Sequence, residues 1–373
     1  MEDRELIEKL NSYTSEELDE YLRANKVSED VIYELSDKVD WKTVSQYQDL
    51  SEDFIREFQD KVDWPEISAH QDLSEDFIRE FADEVDWMQI SNEQSLSEGF
   101  IREFQDRVDW ETISWIQKLS EPFIREFADN VSWYEISVFQ KLSEDFIREF
   151  QEEVNWKAIS RYQKLSEPFI REFADKVNWK EISYHQTLTE PFIREFANRV
   201  DWESISYIQQ LSESFIKEFS DNVNWDIISF SQELSEGFIR EFADRVDWGW
   251  ISINQQLSED FIREFLDKVD WWCISEYQPL SEGFIREFSD KINWDGLKEN
   301  KRLPGIDIDA LHMKCLSSKL DFKQLGANAA NEHIKTNRDN EQQEKAMQHV
   351  QMQTKAMEVN KPETQENKSS RRI

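Results

Sequence analysis

The sequence has few of the residues from which most catalytic and metal sites are made. Its 373 residues include two cysteines, five histidines, seven glycines and seven prolines. The two cysteines, Cys273 and Cys315, cannot provide a disulfide framework, which suits a reducing compartment. The histidines and cysteines do not form a set of four ligands at zinc-site spacing, so we expect no zinc site.

The scarcity of glycine also argues against a nucleotide-binding loop. The glycines are scattered, and Gly99, Gly237 and Gly283 occupy the same place in a repeated segment. A phosphate-binding loop needs glycines clustered between a strand and a helix. Neighbouring acids are common, but they recur throughout the chain, whereas a catalytic pair should be a local exception. We therefore expect no enzymatic activity and no cofactor.

Long apolar runs are missing as well. No stretch approaches the length that spans a bilayer, and the first ten residues lack a basic region followed by an apolar one. The chain has 80 acidic and 44 basic residues, a formal net charge of −36 at pH 7. This charge disfavours nucleic acid and anionic membranes, because both would be repelled. The sequence predicts an intracellular protein whose partner is another protein, and the charge favours a basic one.

Tryptophan, by contrast, is abundant and regularly spaced. It recurs every 23 residues, twelve times without an insertion or deletion, at 41, 64, 87, 110, 133, 156, 179, 202, 225, 248, 271 and 294. The unit reads L-S-E-x-F-I-R-E-F-x-D-x-V-[DN]-W-x-x-I-S-x-x-Q-x. Such a period is typical of a solenoid, in which each unit contacts only its neighbours.

The first half of the unit predicts a short amphipathic helix, here called helix A. In the copy at 50–72, Ser51 is a favourable N-cap residue. It precedes an apolar stripe at helical spacing, formed by Phe54, Ile55, Phe58 and Val62.

The second half predicts another helix, helix B, which begins at the tryptophan. Asp63 stands before Trp64, and every copy has Asp, Asn or Ser at this place, all good N-caps. Trp64, Ile67 and Gln71 share one face, so we expect the twelve tryptophans to be buried at equivalent places. Gln71 recurs in eleven copies, with Lys301 as the exception, and we expect a polar ladder between units.

The predicted fold is an all-α solenoid of twelve 23-residue helical hairpins with capping helices at both ends. The hairpins occupy residues 27–302, after an N-terminal helical cap at 1–26. Residues 303–329 should form a C-terminal helical cap, in which Leu311, Leu316, Leu320, Phe322 and Leu325 cover the last open face. Residues 330–373 are polar, and we expect a mobile tail.

The repeat resembles a known one. The run from Leu50 to Trp64, with Ile67, Ser68 and Gln71, is similar to the short repeat of uncharacterised proteins from giant DNA viruses and phage-like elements. The resemblance covers residues 27–302. It implies a viral protein located in the host cytoplasm or the virion, and it implies no activity, cofactor or functional residue.

Two positions of helix B change character in the central copies. When Leu50 is counted as position 1, positions 16, 17, 20 and 21 lie largely opposite the Trp-Ile-Gln face and should point outward. Positions 20 and 21 of copies four to nine carry mainly apolar and aromatic residues, where Asn92, Glu93 and Asn254 stand in flanking copies. The central residues are Trp115, Ile116, Val138, Phe139, Arg161, Tyr162, Tyr184, His185, Tyr207, Ile208 and Phe230.

These residues allow two interpretations. They can pack against the next hairpin, or they can form a protein-binding strip, since Tyr, Trp and Arg are frequent anchors at interfaces. We favour a non-enzymatic interaction scaffold that binds its partner there. The alternatives are a structural or virion component that packs against its own copies, and an acidic decoy for basic or nucleic-acid-binding proteins. The sequence leaves the oligomeric state open.

Overall fold

The computed structural model describes residues 2–303 and 305–323. Within them the chain forms 27 helices and no strand, in the 23-residue period, which confirms the predicted all-α solenoid. The chain divides into two compact units, residues 1–205 and the residues from 206 onward, and each is described by itself. Within each unit, helix B of one copy packs beside helix B of the next copy.

The helices, in chain order, are α1 (Glu2–Asn11), α2 (Ser15–Ala24), α3 (Glu29–Glu34), α4 (Trp41–Tyr47), α5 (Glu52–Glu57), α6 (Trp64–His70), α7 (Glu75–Glu80), α8 (Trp87–Glu93), α9 (Glu98–Glu103), α10 (Trp110–Ile116), α11 (Glu121–Glu126), α12 (Trp133–Phe139), α13 (Glu144–Glu149), α14 (Trp156–Tyr162), α15 (Glu167–Glu172), α16 (Trp179–His185), α17 (Glu190–Glu195), α18 (Trp202–Ile208), α19 (Glu213–Glu218), α20 (Trp225–Ser231), α21 (Glu236–Glu241), α22 (Trp248–Asn254), α23 (Glu259–Glu264), α24 (Trp271–Tyr277), α25 (Glu282–Glu287), α26 (Trp294–Glu299) and α27 (Ile308–Lys323). Helix A of the twelve copies is odd-numbered, from α3 to α25, and helix B is even-numbered, from α4 to α26.

Helix A begins where the sequence predicts but is shorter than its apolar stripe. In α5, the Ser51 hydroxyl accepts a hydrogen bond from the Phe54 amide at 3.2 Å. The helix ends at Glu57, and Phe58 is its C-cap. The Val62 amide then donates to the Phe58 carbonyl at 3.1 Å, closing a turn. Phe58 and Val62 are buried, so they join the core from this turn and not from the helix.

Helix B begins at the tryptophan, as predicted. In α6, the Asp63 carboxylate caps the helix by accepting from the Glu66 amide at 3.2 Å. Pro65 lies in the first turn, where its missing N–H leaves no helical hydrogen bond unmade. The helix ends at His70, and Gln71 is its C-cap with an extended backbone.

The glutamine at position 22 forms the predicted ladder between copies. The Gln71 side chain is buried and donates from Nε2 to the carbonyls of Ser45, at 2.9 Å, and Gln48, at 2.8 Å. Its Oε1 accepts from the Leu50 amide at 2.9 Å. One side chain therefore satisfies three backbone groups in the buried connection between two copies.

The last copy keeps this arrangement with a different residue. Lys301 stands at the glutamine position, but the neighbouring Asn300 is buried and replaces it. Asn300 Nδ2 donates to the Ser275 carbonyl at 2.8 Å and to the Gln278 carbonyl at 2.9 Å. A side chain that is shorter by one methylene thus reaches the same acceptors from one residue earlier.

Two further ladders between copies were not predicted from the sequence. The buried Ser68 hydroxyl, at position 19, donates to the Trp64 carbonyl at 2.7 Å and accepts from the Asp86 amide of the next copy at 3.0 Å. The Glu52 carboxylate, at position 3, accepts from the Ser74 amide of the next copy at 2.6 Å. The serine at position 19 and the glutamate at position 3 therefore connect each copy to the next one.

The repeated tryptophans lie at equivalent places, but the prediction that all are buried is wrong. Trp64 packs on two rings of the next copy, Phe81 at 4.9 Å and Phe77 at 6.3 Å between centroids. Of the twelve, Trp225 and Trp271 are buried and the others are half-buried. The indole covers the phenylalanine rings with one face and leaves part of its surface at the outside of the array.

The N-terminal cap is a degenerate copy of the repeat. Leu18, which lies 23 residues before Trp41, is buried on α2. Gln48 Nε2 donates to the carbonyls of Leu22, at 2.6 Å, and Asn25, at 2.9 Å, as later glutamines do to their preceding copy. Helix α2 packs on α4 and α1 packs on α3, so the pair closes the exposed end of the first hairpin.

At the other end, α27 packs against α25 and α26. Leu311 and Cys315 are buried there, and the His312 ring stacks on Trp294 at 4.1 Å. Leu316 was expected to cover the open face, but it is exposed because it lies on the outer side of α27. The side chains of Leu320 and Phe322, Leu325 and the predicted tail at 330–373 lie outside the description.

Helix A also carries a row of ion pairs between copies. The guanidinium at position 7 binds the carboxylate at position 8 of the next copy, with Arg102 and Glu126 at 2.6 Å as an example. The hydrogen bond from Arg102 holds the pKa of Glu126 below its ordinary value. Glu149 and Glu172 are paired in the same way and have lowered pKa values.

Acid should therefore weaken the array. A carboxyl with a depressed folded pKa contributes stability that is complete above its unfolded pKa and is lost as pH falls through the folded value. For the three glutamates Glu126, Glu149 and Glu172, the thermal midpoint should decline below about pH 4.3, the ordinary pKa of glutamate. Calorimetry of the triple Glu→Gln variant should show a shallower decline, and a decline as steep as that of the unaltered chain would rule out these pairs as its cause.

Candidate functional site

Four large side chains of copies four to six are exposed on consecutive B helices of the first unit. Trp115 is 42% exposed, Ile116 40%, and Phe139 and Tyr162 52% each. They are called the exposed strip below. Ile116, Phe139 and Tyr162 are the last residues of α10, α12 and α14 and occupy position 21. Trp115 lies at position 20.

Two rings of the exposed strip are neighbours across copies. The centroids of Trp115 and Phe139 lie 6.0 Å apart, and their planes are tilted by 52°. The Arg161 guanidinium lies 5.2 Å from the centroid of Tyr162. Val138 and Arg161, at position 20, are half-buried. The strip therefore presents ring faces and a cation together.

The predicted residues of copy seven are less available. Tyr184 is half-buried and its ring lies 4.7 Å from that of His185. His185 Nε2 lies 3.3 Å from a carboxylate oxygen of Glu181, one turn earlier. Partial burial lowers the pKa of His185, although Glu181 acts in the opposite direction. His185 is exposed, although its imidazole is held by Glu181 of its own helix.

In the second unit, the two predicted rings pack on the array. Tyr207 and Phe230 are half-buried and stack with centroids 6.4 Å apart. Phe230 also contacts the buried Trp250 of the next copy at 4.7 Å. Ile208 alone of the predicted residues here is exposed, at 40%. The packing interpretation therefore fits Phe230 better than the binding interpretation does.

The contact of Phe230 with Trp250 explains a wrong prediction. Trp250 is at position 17, which we expected to point outward, and position 17 is also buried at Ala158 and Cys273. At Trp250, the side chain at position 20 of the preceding copy, Phe230, packs against it. Burial raises the pKa of the Cys273 thiol, which makes this cysteine unreactive.

Aromatic character alone does not define the strip. Tyr47 and Tyr277 also stand at position 21, outside the central copies, but both are half-buried. Burial raises the pKa of Tyr277 to about 12. Phe139 and Tyr162 differ from these two tyrosines because they are exposed. Exposure cannot be read from the residue type at a position.

A second feature of the central copies was overlooked in the sequence. Position 23 reads Asp49, Asp72, Ser95, Lys118, Lys141, Lys164 and Thr187 in copies one to seven. The three lysines belong to the same copies as the exposed strip, and all three are exposed. A comparison of the charge at position 23 in successive copies would have revealed the three lysines.

The described residues offer no other candidate chemistry. Among residues 2–303 and 305–323, no His, Cys, Asp and Glu side chains come together in a group that could hold a metal ion. Over the same residues, none of the helices combines the length and apolarity needed to cross a bilayer.

We compared the chain with protein-family models, curated proteins and solved structures, and none of the three comparisons found a match. The viral origin implied by the resemblance therefore stays a prediction.

Proposed function

We propose that this protein is a non-enzymatic scaffold that binds another protein through the exposed strip. One observation carries the proposal. Trp115, Ile116, Phe139 and Tyr162 place large apolar surfaces in water on three consecutive copies. Contiguous exposed apolar side chains on a soluble surface are typical of protein-binding sites, and Trp and Tyr are frequent anchors there.

The fold does not require apolar residues at these places. Asn92 and Glu93 occupy positions 20 and 21 of copy three, and α8 keeps the same bounds and caps as its neighbours. Because copy three tolerates polar residues there, the rings of copies four to six need an explanation other than stability. Recognition of a partner supplies one.

The alternatives explain less of the surface. Many repeated acids join copies together, as Glu52 does with the Ser74 amide and Glu126 with Arg102, so much of the acidity has a structural use without any decoy role. A component that packs sideways against its own copies would use similar surfaces along the whole array. Within the first unit, the exposed apolar residues at positions 20 and 21 are confined to three copies.

The test is a variant that removes the two most exposed rings. Phe139→Ser with Tyr162→Ser should weaken partner binding by about 2 kcal/mol or more, as anchor residues do. The thermal midpoint should stay unchanged, because both rings are mostly in water. Affinity capture with quantitative mass spectrometry identifies the partner, and calorimetric titration then gives the affinity.

A matched control separates recognition from general stickiness. Met88→Ser with Tyr134→Ser removes two apolar side chains that are equally or more exposed but stand at position 16, outside the strip. It should leave binding intact. Equal loss of binding in both variants, or loss of stability in the first one, would refute the proposal.

A further inference from the structure

We propose, building on the proposed function, that the partner presents an acidic segment, which Lys118, Lys141 and Lys164 bind beside the exposed strip. The three lysines all stand at position 23 of their copies. Lys26 and Asp49 stand at this position in consecutive units, and Lys26 Nζ lies 2.6 Å from an Asp49 carboxylate oxygen. Side chains at position 23 of neighbouring copies can therefore touch.

Because the three lysines occupy position 23 of consecutive copies, they form a row of like charges. Many other cations of the array are paired across copies, for example Arg148 with Glu172 at 2.8 Å and Lys176 with Glu152 at 2.6 Å. Within residues 2–303 and 305–323, no carboxylate lies at ion-pair distance from any of the three lysines. The row has repulsion between its members and no compensation within the described chain.

The lysines and the rings border the same surface. In the second unit, a concave surface is lined by position 23 of successive copies together with Asn254, which stands at position 21. The position-23 residues are Glu233, Gln256, Pro279 and Arg302. The corresponding positions of copies four to six hold the lysine row and Ile116, Phe139 and Tyr162, so one ligand can contact cations and rings together.

This surface changes the chemistry expected of the partner. A net charge of −36 attracts basic proteins from a distance, but that attraction is screened over about 8–10 Å. When the two proteins are in contact, the charges next to the interface determine which groups can pair. Here those charges are three lysines with no ion-pair partner among the described residues. A segment with a few carboxylates between apolar side chains would pair with the row and pack on the rings.

Nucleic acid fits this surface less well. A single strand carries a charge about every 3.4 Å along its whole length, so Asp49 and Asp72, at the same position of the first two copies, would repel the part of the strand that extends beyond the short basic row on that side. Ile116 and Val138 are aliphatic and interrupt the rings on which successive bases could stack. A protein segment can place its charges only where the lysines are.

The test selects short random peptides, displayed on phage, against the full-length chain. Peptides that bind the unaltered chain but not the Phe139→Ser, Tyr162→Ser variant should have net negative charge and contain apolar residues. Their affinity, measured by fluorescence anisotropy, should fall about tenfold in the Lys118→Gln, Lys141→Gln, Lys164→Gln variant, as expected when three exposed charge contacts are lost.

The control for long-range charge is Lys157→Gln with Lys180→Gln. These lysines are exposed, in copies six and seven, at position 16 in the first turn of helix B. Their replacement should change the affinity less than about twofold, since exposed charges that do not touch the peptide are screened by salt. A loss as large as that of the lysine-row variant would overturn the proposed contact.

The remaining outcomes separate the two proposals. Strip-dependent peptides that are neutral or basic would overturn the acidic segment and leave the scaffold standing. If no selected peptide depends on Phe139 and Tyr162, the scaffold itself fails. If oligodeoxythymidine bound more tightly than the selected peptides and this binding were lost in the lysine-row variant, the surface would be assigned to nucleic acid. If the chain associated with itself and this association were lost in that variant, the surface would be assigned to a second copy. Either result would overturn the acidic partner.

Discussion

Replacing Gln163 by Leu should lower the free energy of unfolding by about 3 kcal/mol or more, because each of three buried backbone groups that loses its partner costs about 1–3 kcal/mol. Gln163 Nε2 donates to the carbonyls of Ser137 at 3.1 Å and Gln140 at 2.8 Å. Its Oε1 accepts from the Leu142 amide at 3.1 Å. Leucine can satisfy none of these groups. Urea denaturation followed by circular dichroism measures the loss.

The control makes the same chemical change at an exposed glutamine. Gln256 stands at position 23, is exposed and forms no hydrogen bond within the described residues. Gln256→Leu should alter the free energy by no more than about 0.5 kcal/mol, as surface substitutions usually do. If Gln163→Leu were equally mild, the glutamine ladder would have no part in joining the copies.

The second large effect concerns the aromatic core. Phe169→Ala should cost about 3–5 kcal/mol, as is usual for a buried phenylalanine. Phe169 is 1% exposed, and its ring lies 4.7 Å from Phe173 and 6.3 Å from Trp156. Phe139→Ala is the same change at an exposed ring and should cost about 0.5 kcal/mol or less. The pair therefore tests whether a phenylalanine belongs to the core or to the strip.

The Phe169→Ala variant should also change the shape of the unfolding curve. In a repeat array, stability is close to a sum of unit and neighbour terms. A weakened interior copy reduces the coupling between the two sides, so the single transition of the unaltered chain should broaden or split. A loss below about 1 kcal/mol, less than almost any core truncation causes, would contradict the assignment of Phe169 to the core.

The sequence predicts the elements of one copy well, because they are set by residues close together in the chain. Ser51 and Asp63 cap their helices as expected, since a cap needs only a short acceptor two or three residues before its amide. The glutamine ladder was also predictable. A polar residue such as Gln71, on the buried face in nearly every copy, must find partners there.

The contacts between copies were harder to predict, because they depend on how one hairpin lies on the next. Ser68 reaches the amide of Asp86 across 18 residues, and no pattern within one unit shows that distance. The same stacking buries position 17 at Trp250 and Cys273 and leaves position 21 exposed at Phe139 and Tyr162. It also leaves most of the tryptophans at the edge of the core.

The candidate site was therefore found in outline only. The sequence identified the central copies and included Phe139 and Tyr162, but it could not distinguish them from Phe230, which packs on Trp250. The lysine row was visible in the aligned copies. Its importance depends on the missing ion pairs and on the neighbouring rings, which only the coordinates show.

Photo-crosslinking from the strip is the most direct test of its role. A photoreactive phenylalanine analogue is placed at Phe139 in one full-length chain and at Tyr134, equally exposed but outside the strip, in another. After irradiation in cells that contain the partner, the Phe139 chain should give a covalent adduct to an acidic protein segment, and the Tyr134 chain should not. Equal adducts from both positions, or adducts from Tyr134 alone, would contradict the binding role of the exposed strip.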